Sequence, residues 1–341
     1  MDDSRRKFLK TAAASGTLAA TAVPAMPAAA KNVSPDQITA KFKKLPGDVA
    51  FKILAPDAKG KKDFVAQRDS NRRLFVASAI KTFVLCEALR QADALLQSGS
   101  PDLKEMLEEK DLVLDSTVWS FGSPTFTPPD ITGIVSERTA MEAMITRSDN
   151  TATDMMFKVA GADNVRKFIA SAGLTRTQVP DSTRALTGYV FGAPDYKNLT
   201  WEQVVQLVQG PLVHPLLNDV QTLASSADDF VSYYSRALQG KFFKHAETLD
   251  EFRRVLSLCD FIYLIPLPLG VSAYMKSGNA DMPGFHARSV AGGLFTGDQW
   301  IYFAFIINWY AQSGDDAETV ERFFEAINES LSLVVSSLSK D

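Results

Sequence analysis

The stretch Leu74-Phe75-Val76-Ala77-Ser78-Ala79-Ile80-Lys81 decides how the chain is read. Four apolar residues lead straight into Ser78. Beyond it the spacing changes: Ile80, Val84, Leu85 and Ala88 recur at intervals of three and four, which predicts a helix from Ser78 to about Leu96. An apolar, strand-like approach therefore ends at the first turn of a helix. Ser78 and Lys81 are three residues apart there and share one helical face. A serine hydroxyl is a poor nucleophile until a neighbour takes its proton. A lysine takes it only if burial or another cation lowers its pKa. The free N–H groups of a helix start favour a developing oxyanion. Ser-x-x-Lys alone arises by chance about once or twice in a chain of this size, so the rest of the sequence must supply partners.

Two further segments do so. Residues 137–160 read as a helix, a break at Ser148-Asp149-Asn150, and a second helix. These three residue types also cap helices, so a plain cap explains the motif equally well in isolation. In a catalytic reading the Ser148 hydroxyl relays a proton to a leaving group, and the Asn150 amide orients substrate and lysine. Lys276-Ser277-Gly278 ends the apolar run Val271-Ser272-Ala273-Tyr274-Met275, where an ordinary strand end is the plainer reading. In a catalytic reading Gly278 lets a substrate lie against the strand edge. The backbone N–H of Asn279 is then a second oxyanion donor beside that of Ser78, and Ser277 belongs to the same binding edge. Lys276 would hold Ser148, lower the pKa of Lys81 and attract a substrate carboxylate. Arg288, on a predicted strand expected to face the site, is a second carboxylate ligand by its chemistry. A surface arginine fits that pattern as well. Trp119 and Phe121 are wall or packing residues.

With all three motifs in order, the chain resembles the penicilloyl-serine superfamily, in particular the class A β-lactamases and their relatives. The likeness includes Phe75-Val76-Ala77-Ser78, Met144-Ile145-Thr146-Arg147-Ser148-Asp149-Asn150-Thr151-Ala152-Thr153 and Val290-Ala291-Gly292-Gly293. It spans about residues 35–340. It implies a serine hydrolase that forms an acyl-enzyme on Ser78 with an amide or ester. The catalytic group would be Ser78, Lys81, Ser148 and Lys276. The substrate-binding group would be Asn150, Ser277, Gly278, Asn279 and Arg288. No metal or other cofactor is implied. β-Lactam hydrolysis is the leading activity. The alternatives are an amidase, esterase or peptidase of the same fold, and a non-catalytic binder of penicillin or cell-wall fragments. A binder is expected to lack Ser78, Lys81 or Lys276; all three are present. One departure matters. Class A enzymes place a Glu, in a Glu-x-x-Leu-Asn run, where it activates the deacylating water. Here the stretch reads Val179-Pro180-Asp181-Ser182-Thr183-Arg184-Ala185-Leu186, with Ser182 or Thr183 at the Glu position. Asp181 is close by and Glu202 lies further on as candidate carboxylate bases, although a loop-turn Asp and a solvated helix Glu are the plainer readings.

The rest of the chain bounds these readings. Its 341 residues suit one large or two interleaved domains. The pI of about 5.6 argues against a nucleic-acid partner. Ser4-Arg5-Arg6-Lys7-Phe8-Leu9-Lys10, a weakly apolar stretch from Thr11 to Val23, and Ala28-Ala29-Ala30 read as a twin-arginine signal peptide over residues 1–30. The expected partners are therefore the twin-arginine export machinery and a small-molecule or peptide substrate carrying a carboxylate. The expected location is periplasmic or secreted, without a stable membrane anchor. Cys86 and Cys259 both sit in apolar runs, and sequence does not fix whether they pair. The three histidines are scattered, which argues against a metal site.

Strand patterns occur at 48–54 and 63–67, with a turn at Lys59-Gly60-Lys61, and again at 271–276, 287–295 and 300–309. Helical patterns occur at 35–44, 163–172, 200–208, 226–238, 248–259 and 316–338. Pro180, Gly188, Gly192 and Pro194 predict an irregular loop over 180–200. Strands at both ends and helices between them predict an α/β fold of the α+β type. An antiparallel sheet from about 31–75 and 262–341 is covered by terminal helices. An all-helical subdomain, about 76–261, is inserted into it within one domain of 31–341.

Overall fold

The computed structural model describes residues 33–57, 62–97, 102–265, 267, 270–311 and 316–338. The expected leader and the expected Lys59-Gly60-Lys61 turn lie outside the described residues. The first helix, α1 (Pro35–Lys41), opens with a capping box between Ser34 and Gln37. Strands β1 (Asp48–Ala55), β2 (Phe64–Arg68) and the short β3 (Leu74–Phe75) follow. A single 3₁₀ turn, Ala77–Ile80, then runs into α2 (Lys81–Leu95). The middle of the chain is helical apart from the hairpin β4 (Asp111–Leu114) and β5 (Gly133–Ser136) and the two-residue β6 (Ala224–Ser225). Its helices are α3 (Leu103–Glu109), α4 (Glu137–Thr146), α5 (Asn150–Ala160), α6 (Ala162–Ser171), α7 (Thr183–Val190), α8 (Trp201–Leu207), α9 (Ala227–Ala237) and α10 (Ala246–Ser257). Strands β7 (Ser272–Met282), β8 (Phe285–Phe295) and β9 (Trp300–Trp309) and the long α11 (Ala317–Leu338) complete it.

The main sheet has the order β2-β1-β9-β8-β7, and every neighbouring pair is antiparallel. Both chain ends thus meet at the β1–β9 pair, and β7 is left as an edge strand. Side chains alternate between two cores. Ile301, Phe303, Phe305 and Ile307 of β9 join Phe51 of β1, Phe42, and Phe323, Ile327 and Leu331 of α11 on one face. Tyr302, Ala304 and Ile306 face the helical block, where Phe83 of α2 stacks on Phe230 of α9 with ring centroids 5.5 Å apart. Each such buried apolar side chain contributes about 1.5–3 kcal/mol, so the sheet is fixed from both sides. Cys86 and Cys259 are free and buried, one in each core. Burial pushes the Cys86 thiol far up, so it acts as a small hydrophobe.

One expectation about the helical block is corrected. The stretch expected as an irregular loop over 180–200 contains α7. Tertiary capping outweighs the Gly and Pro signals there. Ser182 Oγ accepts from the Ala185 N–H at 2.9 Å, and the carboxylate of Asp154 on α5 accepts from the Thr183 and Arg184 N–H groups at 2.6 and 3.0 Å. Gly188 costs helix propensity, but a Cβ there would stand 2.6 Å from Leu199 Cδ1. The glycine is what lets Leu199 pack against α7.

Candidate active site

Three elements deliver the three motifs to one place. The first is the turn before α2. Ala77 has φ +47°, in the left-handed region that a non-glycine residue enters at a cost of about 1–3 kcal/mol. This kink turns the chain from β3 into the 3₁₀ turn and leaves Ser78 half-buried at its start. Lys81, one turn on, is almost completely buried.

The second element is the junction between α4 and α5. Ser148 also adopts a positive φ, +56°. That conformation turns both its carbonyl and its hydroxyl toward Lys81. The ammonium of Lys81 donates to Ser148 O at 2.5 Å and to Asn150 Oδ1 at 2.6 Å, and lies 3.3 Å from Ser148 Oγ. Asn150 Nδ2 in turn donates to Phe121 O at 2.5 Å. Asp149, between them, is fully buried and points elsewhere. Its carboxylate accepts from the N–H groups of Ala152, Thr125 and Phe126, each at 2.8 Å. Cap and chemistry therefore divide the tripeptide. Asp149 starts α5 and holds the 125–126 loop, while Ser148 and Asn150 hold the lysine.

The third element is β7. Its alternation sends Lys276 and Gly278 to the same sheet face as Ala287 and Ala291, toward the helical block. Lys276 is fully buried and donates to Ser148 Oγ at 3.1 Å and to Ser277 O at 2.9 Å. One serine hydroxyl thus lies between two lysines. Because β7 is an edge strand, alternate backbone groups of the 276–282 segment face away from β8. Asn279 is exposed on that edge.

The electrostatics follow from burial. Desolvation holds the Lys81 ammonium well below the ordinary lysine range, and the charge of Lys276 adds to this. Asp149 and Asp154 act in the opposite direction. Desolvation also lowers Lys276, against the attraction of Cys259 and Asp260. Burial and the Lys276 charge thus favour the neutral amine at Lys81 over an ordinary exposed lysine, and the neutral amine is the form that can accept a proton.

The remaining site candidates lie elsewhere or are otherwise engaged. Arg288 pairs with Asn279 across β7 and β8, on the face opposite Lys276. Its guanidinium turns toward the hairpin end. There it binds Asp281 through both nitrogens, at 2.9 and 2.8 Å, and lies over Trp309. The structure does not bring it to Lys81, Ser148 and Lys276, because strand alternation assigns it to the other face. Ser277 is buried on that face too, and its carbonyl meets Lys276. Asp181 forms ion pairs with Arg166 and with Lys197, the latter at 2.9 Å. Burial works to raise its carboxyl, but the hydrogen bonds from Lys197 and Arg166 hold it below the usual range. Glu202 is an exposed first-turn residue of α8. Trp119 and Phe121 both pack on Trp201, with centroids 6.1 and 5.0 Å apart. Thr183 Oγ1 is 2.7 Å from Ser120 Oγ and donates to Asp154 Oδ1 at 2.8 Å. Burial pushes the Asp154 carboxyl up to about 6, against those hydrogen bonds. No sequence pattern singled out Asp154, although it lies one turn after Asn150 on the same helix.

This geometry meets a family match. The model of the beta-lactamase enzyme family matches residues 35–323. The chain belongs to the beta-lactamase enzyme family. Solved structures agree at the level of the fold. A β-lactamase from Sphaerobacter thermophilus DSM 20745 is 18% identical with a TM-score of 0.63, over 89% of this chain and 97% of that one. A class A representative from Bacteroides cellulosilyticus DSM 14838 is 18% identical with a TM-score of 0.63, over 88% and 99%. PBP-A is 16% identical with a TM-score of 0.61, over 87% and 95%. No curated protein matches the chain. Among the described residues no cluster of His, Cys, Asp and Glu could hold a metal ion, and no helix is long and apolar enough to cross a membrane.

Within this family fold Gly278 is a steric requirement. A Cβ there would run into Val76 O and stand 2.8 Å from Ala79 N. Gly278→Ala is therefore expected to push β7 off the turn that carries Ser78. Overpacking of this kind costs about 1–3 kcal/mol. The expected result is a lower melting temperature, measured by scanning calorimetry.

Proposed function

We propose that the chain is an exported serine hydrolase that forms an acyl-enzyme on Ser78 with an amide or ester, with the β-lactam amide as the leading substrate. The observation that carries this reading is the convergence of Lys81 and Lys276 on the Ser148 hydroxyl, one turn from Ser78. Neutral Lys81 takes the Ser78 proton as Oγ attacks the carbonyl carbon. The backbone N–H groups of Ser78 and Asn279 stabilise the oxyanion. The proton then passes from Lys81 through Ser148 to the departing nitrogen, and Lys276 keeps that hydroxyl in place. A substrate carboxylate fits the cationic edge at Lys276.

Release is expected to be slow. Neither residue expected at the position of the family's water-activating glutamate is a carboxylate: the Ser182 hydroxyl caps α7 through the Ala185 N–H, and the Thr183 hydroxyl is taken up by Asp154 and Ser120. Asp181 is held in its ion pairs. This favours a second reading, an amidase, esterase or peptidase with little β-lactam turnover. Both readings are tested by stopped-flow ring opening of a chromogenic β-lactam. A burst of one ring opening per enzyme, followed by a much slower phase, supports an acyl-enzyme that releases slowly. Absence of a burst and of any adduct, with small esters still cleaved, selects the second reading. The twin-arginine leader is tested by fractionation: Arg5→Lys with Arg6→Lys should leave the protein in the cytoplasm.

A further inference from the structure

Ser289 is directly opposite Gly278 in the β7–β8 register, on the same sheet face. Its hydroxyl donates to Val76 O at 2.6 Å and is itself buried. The same carbonyl accepts the Ala79 N–H at 3.2 Å, closing the turn that contains Ser78. A Cβ at Gly278 would stand 2.8 Å from Ser289 Oγ. The missing side chain of Gly278 therefore leaves the room in which Ser289 reaches the turn. The residue before Val76 is tied to the sheet by a side chain as well. Asn308 of β9 accepts from the Phe75 N–H at 2.9 Å and donates to Phe75 O at 2.8 Å. The Val76 N–H donates to Leu223 O at 2.8 Å. Every backbone polar group of Phe75 and Val76 is thus held, and the next residue is Ala77 at φ +47°. A strained residue persists only where its surroundings over-determine it.

We propose that Ser289 is a positioning residue of the acylation step. Its hydroxyl joins the turn that carries Ser78 to the strand that carries Gly278 and Asn279. This rests on the acyl-enzyme reading above. The two oxyanion donors of that reading come from those two separate elements. Their spacing is set by the joint between them, and the Ser289–Val76 bond is the joint. Catalytic donors must hold their places to within about 0.5 Å, and a displacement of about 1 Å costs roughly 100-fold in rate.

The test is the rate of covalent labelling by a fluorescent penicillin as a function of its concentration, for wild type, S289A, S289C and S289T. The expected result is a limiting acylation rate in S289A lower by about 10- to 100-fold. The half-saturating concentration should stay within about threefold, and S289T should recover most of the rate because it keeps the hydroxyl. S289C should fall between them, since a thiol is a weaker donor. A limiting rate in S289A within about twofold of wild type overturns the proposal, as does a loss that S289T does not recover. If S289A fails to fold by circular dichroism, S289C against S289T decides, and equal rates overturn it. A wild-type protein that acquires no label overturns the acyl-enzyme reading and this proposal together. Normal labelling that ignores residue 289 overturns only this proposal.

Discussion

Ser78→Ala is expected to acquire no covalent label from any β-lactam or active ester, while keeping its melting temperature within a few degrees of wild type. Ser78 is half-buried and sits in a turn whose shape is set by Val76, Ala77 and Gly278, so deleting one oxygen disturbs little packing. Its loss removes the only bond-forming atom of the proposed first step. Substrate turnover should fall by at least about 10,000-fold, leaving what binding and the oxyanion donors provide. The check is intact-mass spectrometry beside an initial-rate assay. A Ser78→Ala protein that still gains the mass of the β-lactam places the reactive group elsewhere.

Lys81→Met should have the next largest effect. Removing a general base costs about 100- to 10,000-fold, here in the acylation rate rather than in the final extent of labelling. The pH profile carries the sign. Lys81 works as the neutral amine, so acylation is present above its pKa and is lost as pH falls through it. Burial and the neighbouring Lys276 place that midpoint well below the ordinary lysine range. The wild-type acylation rate should therefore rise with pH to a plateau reached before lysine normally ionises. Removing the Lys276 charge by Lys276→Met relieves one of the two depressing influences, so the midpoint should move to higher pH. A profile that does not move in Lys276→Met, measured by labelling rate from acid to alkaline pH, contradicts the assigned pair. Arg288→Ala serves as a contrast, since its guanidinium is held by Asp281 on the other sheet face.

Much of the fold was legible because its signals are local. The near-continuous apolar run of β9 and the apolar stripe of α11 are readable directly from the sequence. The helix α7 was not, because its N-terminus is capped from outside by Asp154, a residue of α5 that lies 29 residues before Thr183 in sequence. Glycine and proline counts cannot register a carboxylate that arrives through tertiary packing. The same contrast holds at the candidate site. Lys81, Ser148, Asn150 and Lys276 belong to motifs of three or four residues and converge in space, with Ser78 one turn before Lys81. Ser289 and Asn308 carry no motif. Asn308 is an isolated polar residue in the apolar strand β9, and that isolation is a signal, because a buried polar side chain in a sheet needs a partner; Ser289 follows Arg288 in β8 and lacks even that signal. Arg288 was misplaced for a simple reason. Its distance from the site in sequence and its chemistry were suitable, but its parity on β8 was not, and parity becomes decisive only once the Gly278–Ser289 register is known.

The most direct measurement is peptide mapping after brief exposure of the mature protein to benzylpenicillin, quenched in acid. Acylation by ring opening loses no atoms, so the predicted result is a single adduct of the full penicillin mass on the peptide that carries Ser78. It should be absent in Ser78→Ala and strongly slowed in Lys81→Met. An adduct confined to another residue, or full labelling in Ser78→Ala, would contradict the assignment of Ser78 as the nucleophile.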